Sequence, residues 1–118
     1  MLITNSYQIK EHNAIIGEIC LRQYEGCEHP HIEFEIKKDY QNQGFMTKHL
    51  PIFLKQLTDK VIIAVVNPSN LVSIKLLAHN SFIELGNISA YKNFIYINKK
   101  AGTSKDGAKI LDGNSRAS

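Results

Sequence analysis

The sequence predicts a single α+β (mixed α/β) domain, with a mixed, mostly antiparallel sheet flanked by two main helices. Three observations predict it. Residues 31–37 alternate, with Ile32, Phe34 and Ile36 on one side and His31, Glu33 and Glu35 on the other, the period-two pattern of a half-buried strand. From Phe45 the spacing changes: Met46, Leu50, Phe53, Leu54 and Leu57 recur every three to four residues and make one helical apolar stripe. The run Val61-Ile62-Ile63-Ala64-Val65-Val66 is then apolar throughout and mostly β-branched, which suits a strand buried on both faces.

The remaining elements follow in order. Residues 2–9 and 14–24 read as two strands around the turn Glu11-His12-Asn13. Pro51 falls inside the first helix, where it removes a backbone hydrogen bond, so a local distortion is expected there. Asn67-Pro68 makes a good helix start, with Asn67 as N-cap and Pro68 in the first turn. The second helix is expected over residues 69–79, with Val72, Leu76 and Leu77 inward and Asn80 closing it in a left-handed conformation. Residues 82–85 and 91–98 read as two final strands, the second rich in aromatic and β-branched side chains. The strand–helix–strand unit over residues 31–66 predicts a right-handed parallel crossover, with antiparallel hairpins on either side.

Composition narrows the function. At 118 residues and 43% hydrophobic content the chain has the size and makeup of one ordinary globule. No apolar run is long enough to cross a bilayer, and the N-terminus lacks the basic-then-apolar order of a signal peptide, so a cytoplasmic location is expected. Residues 99–118 hold five basic and two acidic residues and account for the whole net charge of +3. The body, residues 1–98, is therefore neutral, and no basic stripe with interleaved aromatics argues for nucleic acid. The polar, glycine-bearing segment 99–118 reads as a flexible tail. Cys20 reads as a small buried hydrophobe and Cys27 as a turn residue; together they make no metal spacing. His12, His29, His49 and His79 are scattered without ligand spacing, read as surface or capping residues, and leave no metal expected.

The most informative segment is Tyr40-Gln41-Asn42-Gln43-Gly44-Phe45-Met46-Thr47. A polar, glycine-bearing turn between a strand and a helix start gathers several backbone N–H groups that have no partner inside the helix. The helix dipole adds positive potential, and the turn becomes a seat for phosphate oxygens.

Two motifs give the chain a resemblance to the GNAT superfamily of acyl-CoA-dependent N-acyltransferases. The first is Gln41-Asn42-Gln43-Gly44-Phe45-Met46, similar to that family's Gln/Arg-x-x-Gly-x-small loop. Its continuation to Thr47 looks most like the branch that acetylates protein N-termini, including ribosomal-protein alanines. The second is Asn70-Leu71-Val72-Ser73-Ile74-Lys75-Leu76-Leu77 followed by Ser81-Phe82, similar to that branch's Asn-x-x-Ser helix and the Gly-Phe behind it. The likeness covers roughly residues 14–98. It departs from the family pattern where glycine is common, at Asn42 and Ser81, and where many relatives carry a tyrosine general acid, at Leu77. Asn42 tolerates a left-handed backbone more readily than Ser81. The chain also lacks most of the strand–helix–helix that usually begins the fold and shapes the acceptor site, which makes a homodimer attractive.

The resemblance implies acetyl-CoA as co-substrate and an amine-bearing acceptor, a protein N-terminus or a small amine, with no nucleic acid or membrane partner. It places the diphosphate on residues 41–46 with Thr47 nearby, and the pantetheine arm along Phe34, Glu35 and Ile36, where two parallel strands splay apart. Ser73 takes the position of a serine near the thioester sulfur, and Asn70 is a contact to the arm or the acceptor. Relatives often place a catalytic carboxylate close to His31. Glu33 is one same-face step onward, so either Glu33 or His31 is the candidate base. The competing readings are a non-catalytic CoA-binding or protein-interaction module of the same fold, and an adaptor that works through its basic tail.

Overall fold

The computed structural model describes residues 2–99; the tail expected over 99–118 lies almost wholly outside them. Six strands form one sheet in the order β1-β2-β3-β4-β6-β5. They are β1 (Leu2–Glu11), β2 (Ala14–Gln23), β3 (His31–Ile36), β4 (Val61–Val66), β5 (Ile83–Ile88) and β6 (Tyr91–Ile97), joined with helices α1 (Phe45–Gln56) and α2 (Leu71–His79). Only β3 and β4 run parallel; the other neighbours are antiparallel, as the hairpins require. His12 and Asn13 both take positive φ, 52° and 64°, which gives the first hairpin a two-residue turn matched to strand twist.

Both helices lie on one face of the sheet. Leu50, Phe53 and Leu54 of α1 and Leu76 and Leu77 of α2 join Ile19, Leu21, Ile32, Ile62, Ala64 and Phe94 in one buried cluster. The strand members share a face, because Ile19 pairs with Phe34, Leu21 with Ile32 and Ala64 with Phe94. Each large side chain buried there contributes about 1.5–3 kcal/mol. Among the described residues the far face carries no helix. Its β4–β6–β5 half presents Val61, Ile63, Val65, Ile83, Ile95 and Ile97, of which Ile83 is 59% and Ile97 52% exposed. Its β2–β3 half is polar, with Arg22, His31, Glu33 and Glu18.

That asymmetry corrects several expectations. β4 is buried on one face only: Ile62 and Ala64 are covered while Val65 is exposed, because an all-apolar strand needs a second layer to bury its other side and none is present among the described residues. The second helix starts at Leu71 rather than residue 69, and its N-cap is Asn70, whose Oδ1 accepts from the Ser73 amide at 3.1 Å. Asn67 instead closes a turn on Ser69. Val72 is not inward but 68% exposed: it shares a side with Leu76 one turn on, but lies in the first turn, where it lines an open groove instead of the core. Asn80 is not left-handed (φ −103°); Ser81 takes that conformation instead, with φ 70°. Pro51 lies inside α1, which runs on for five residues beyond it, so the helix expected there is kept across the missing amide. His49 is not a surface residue; it is 7% exposed.

Candidate functional site

The start of α1 is an open donor array. Its N-cap is Gly44, at φ 81°, a conformation that glycine adopts without strain and that offers no capping side chain. Asn42 also takes a left-handed backbone, φ 62°. The first amide to find an acceptor in the helix is Lys48, which donates to the Gly44 carbonyl at 3.1 Å. Among the described hydrogen bonds, the amides of Asn42, Gln43, Gly44, Phe45, Met46 and Thr47 donate to no carbonyl. The first turn holds no acidic side chain that would compete for them. A run of free amides at the positive end of a helix dipole binds an anion. The loop is braced from outside the array: Gln41 Nε2 donates to the Ile36 carbonyl at 2.9 Å and Gln43 Nε2 to the Asp39 carbonyl at 3.1 Å. These two side chains therefore hold the loop, and Gln43 does not line the groove beside it.

The array opens into a groove of about 830 Å³ between α1, α2 and the end of β3. Phe34, Glu35, Ile36, Gln41, Asn42, Gly44, Phe45, Met46, Thr47, Asn70 and Ser73 all line it, so most of the residues expected to hold a cofactor come together. Tyr40, the first residue of that segment, and Lys75 line it too, and neither was assigned a role from the sequence; Lys75 brings a cation to one wall. The parallel pair splays beside it. β3 and β4 pair at one position, His31 opposite Ile63, with the Ile63 amide donating to the Pro30 carbonyl at 2.9 Å. Pro30 bonds toward β4 and Lys37 toward Ile16 of β2, so even-numbered groups of β3 point into the gap. The amide and carbonyl of Phe34 thus face open space, available to an added extended chain. On the opposite side of β3, Gly17 of β2 lets the two strands approach: a methyl group there would overlap the Glu35 carbonyl oxygen.

His31 and Glu33 do not line the groove; they stand on the far face, at the inner end of the gap. Glu33 is engaged at both oxygens, by Arg22 Nε at 2.7 Å and by the Tyr24 hydroxyl. That bond to Glu33 pushes the Tyr24 phenol's pKa up. Tyr24 packs edge-on against His31, ring centroids 5.2 Å apart. Burial holds the His31 imidazole below its ordinary pKa, a shift the Glu33 charge partly opposes. Arg22 and Tyr24 escaped the sequence reading, although the β2–β3 register, with Arg22 opposite His31, was the signal that joins them.

On α2, Ser73 lines the groove and its hydroxyl makes none of the described hydrogen bonds, while Asn70 caps the helix. His49, on α1 just after the donor array, bridges to the edge strand: Nε2 lies 2.7 Å from Glu11 and Nδ1 2.8 Å from the Tyr7 hydroxyl. Lys48 adds a 2.8 Å contact to the same Glu11 oxygen. Hydrogen bonds from Lys48 and His49 hold the Glu11 carboxyl below its usual pKa. Among the described residues no cluster of three metal-ligating side chains occurs, and no helix is long and apolar enough to cross a membrane.

No protein-family model matches the sequence, and no curated protein matches it. Solved structures do match. The ribosomal-protein-S5-alanine acetyltransferase from Vibrio fischeri superposes with a TM-score of 0.59 at 22% identity, over 73% of this chain and 56% of its own. A chimera of the Vibrio cholerae spermidine N-acetyltransferase SpeG reaches a TM-score of 0.68 at 17% identity, over 81% of this chain and 68% of its own. RimJ from Mycobacterium smegmatis, solved with a CoA-disulfide, gives 0.62 at 17% identity, over 80% and 53%. The chain has the fold of the GNAT acyl-CoA N-acyltransferases, and the resemblance carried by its two motifs holds at the level of fold. It spans little more than half the length of the Vibrio fischeri and Mycobacterium smegmatis proteins.

Proposed function

We propose that residues 1–98 are a minimal GNAT-type acetyltransferase domain that moves an acetyl group from acetyl-CoA to a primary amine, and that residues 99–118 are a tail outside it. One observation supports this most. The uncapped start of α1, with six free amides, faces the same groove as the unpaired edge of β3. Diphosphate and pantetheine need those two features side by side. From Ile36 back to His31 the strand spans about 17 Å, at ~3.3 Å per residue. A pantetheine arm, an extended chain of about twelve bonds, covers a comparable length.

In this reading the amine nitrogen bonds to the thioester carbonyl carbon and the carbon–sulfur bond breaks. His31 takes the proton that the amine loses, the Ser73 hydroxyl protonates the departing thiolate, and solvent restores both. The Phe34 amide is placed to stabilise the oxyanion. His31 suits the role better than Glu33, because burial favours its neutral form whereas Glu33 is clamped by Arg22 and Tyr24. A weak base suits an α-amine, with a reference pKa near 8, more than a lysine near 10.4, so the acceptor is a protein N-terminus. The location is cytoplasmic, and a second copy covers the bare apolar face.

The test combines ligand stabilisation with turnover. Acetyl-CoA at 100 times its dissociation constant should add about 2.7 kcal/mol to the unfolding free energy. N-terminal peptides should then release free thiol faster than lysine peptides, polyamines or aminoglycosides. No stabilisation by any CoA ester removes the whole proposal. A monomer in sedimentation at micromolar concentration removes only the second copy. Stabilisation without thiol release supports the alternative, a non-catalytic CoA-binding module, which buried Leu77 in place of a tyrosine acid favours.

A further inference from the structure

We propose that Tyr24 is the positioning residue of this site: its ring lies across His31 and its hydroxyl, moored to Glu33, fixes where the imidazole stands. The proposal rests on His31 as the proton acceptor. Its geometry follows from the register. Arg22 sits directly opposite His31, so Tyr24, two residues further along, projects from the same side of the sheet beyond it. Its hydroxyl nevertheless reaches Glu33, which lies two residues past His31 in the other direction. The phenol ring must therefore cross the His31 position, and the two rings meet edge to face at 62°. Arg22 Nε, 2.7 Å from the other Glu33 oxygen, stops the carboxylate from swinging away.

The brace matters because no helix of the described residues packs on the far face. The surroundings of His31 are Arg22 across the strand, Glu33 along it, Tyr24 above it and Ile63 beside it on β4. Among the described residues, Tyr24 is the one aromatic ring packed against the imidazole, on a face where side chains such as Val65 stand exposed. The ring thus does two things at once. It limits the rotamers of a side chain at the mouth of the gap, and it keeps water from the imidazole, which favours the neutral form that accepts a proton. The hydroxyl does a third: it sets the ring angle through Glu33.

The two variants Tyr24→Phe and Tyr24→Ala separate these effects. The readouts are the His31 titration midpoint by NMR in the free full-length chain, and kcat and KM against pH with acetyl-CoA and an N-terminal peptide. Tyr24→Phe should leave the midpoint in place and lower kcat roughly tenfold to a hundredfold with KM for acetyl-CoA unchanged. Tyr24→Ala should move the midpoint up toward that of an exposed histidine, and the acidic limb of kcat/KM should move with it. A midpoint unmoved in Tyr24→Ala, or a Tyr24→Phe variant with wild-type kcat, overturns the proposal and leaves the transferase reading standing. Wild-type protein that releases no thiol with any amine overturns the transferase reading and this role together, even where the midpoint moves.

Discussion

The two faces of the sheet are built from similar residues and do different work. On the helix face Ile19, Leu21, Ile62, Leu50 and Leu77 are completely buried and form one cluster. On the far face Val65, Ile83 and Ile97 are comparably apolar and stand open, beside a polar group of Arg22, Tyr24, Glu33 and His31. Apolar character alone therefore does not say which side of a strand is packed. The helix face holds the fold and the groove, whereas the far face offers a surface with one half-buried imidazole on it.

The largest test of that contrast is mutational. Phe53→Ala, on the helix face, should cost about 3–5 kcal/mol in urea unfolding, through lost transfer energy and the cavity left behind. In protein diluted to the monomer, Ile97→Thr, on the far face, should stay within about 0.5 kcal/mol. A larger cost that appears only at concentrations where two copies associate would mean that the far face is covered there, as proposed. Next in size is Gly17→Ala. The added methyl meets the Glu35 carbonyl, a backbone group that cannot step aside, so a loss of about 1–3 kcal/mol is expected. Stabilisation by acetyl-CoA should fall with it, because a shift of β3 away from β2 at Glu35 also moves its opposite side, which borders the gap. Loss of stability with unchanged ligand effect would separate that edge from binding.

A smaller pair concerns how α1 and α2 begin and end. Ser81→Gly should raise stability by about 0.5–1 kcal/mol, since serine holds φ 70° at a steric cost that glycine avoids. Asn42→Gly, at φ 62°, should gain less, a few tenths of a kcal/mol, because asparagine visits that region more easily. Equal gains would argue that Ser81 is already relieved by its neighbours. Both are measured by thermal unfolding.

Much of this was legible in the sequence. The period-two pattern of His31–Ile36, the helical stripe from Phe45 and the loop Gln41–Thr47 name the parallel pair, the first helix and the donor array between them. The groove follows from those elements and from the Asn70–Leu77 helix. What stayed hidden depends on contacts between distant residues. Nothing local marks His49 as buried, because Glu11 and Tyr7, its partners, lie about forty residues away. β4 is apolar at every position, so its pattern gives no sign that one face lacks a second layer. Asn67 and Asn70 are both good caps three residues apart, and only the Ser73 amide, bonded to Asn70, decides between them. Tyr24 falls inside the strand read over residues 14–24, but its partners Glu33 and His31 lie on β3, and the β2–β3 register that brings them together is not written in either strand alone.

The last contrast between the faces is one of pH. His31, on the far face, is held below the ordinary histidine pKa by burial, so between its folded and unfolded values the unfolded chain binds more protons. Stability therefore rises with pH through that window and falls as pH drops below the ordinary histidine range. Glu11, on the edge strand, is held low by Lys48 and His49, so its contribution is present above the unfolded carboxylate value and is lost only in more acidic solution. Two separate acid steps are expected in a stability–pH profile from chemical unfolding. His31→Gln should flatten the upper one and leave the lower, and Glu11→Gln should do the reverse. A profile in which either variant removes both steps would mean that the two sites are coupled through β1 and β2, and that the faces are not energetically separate.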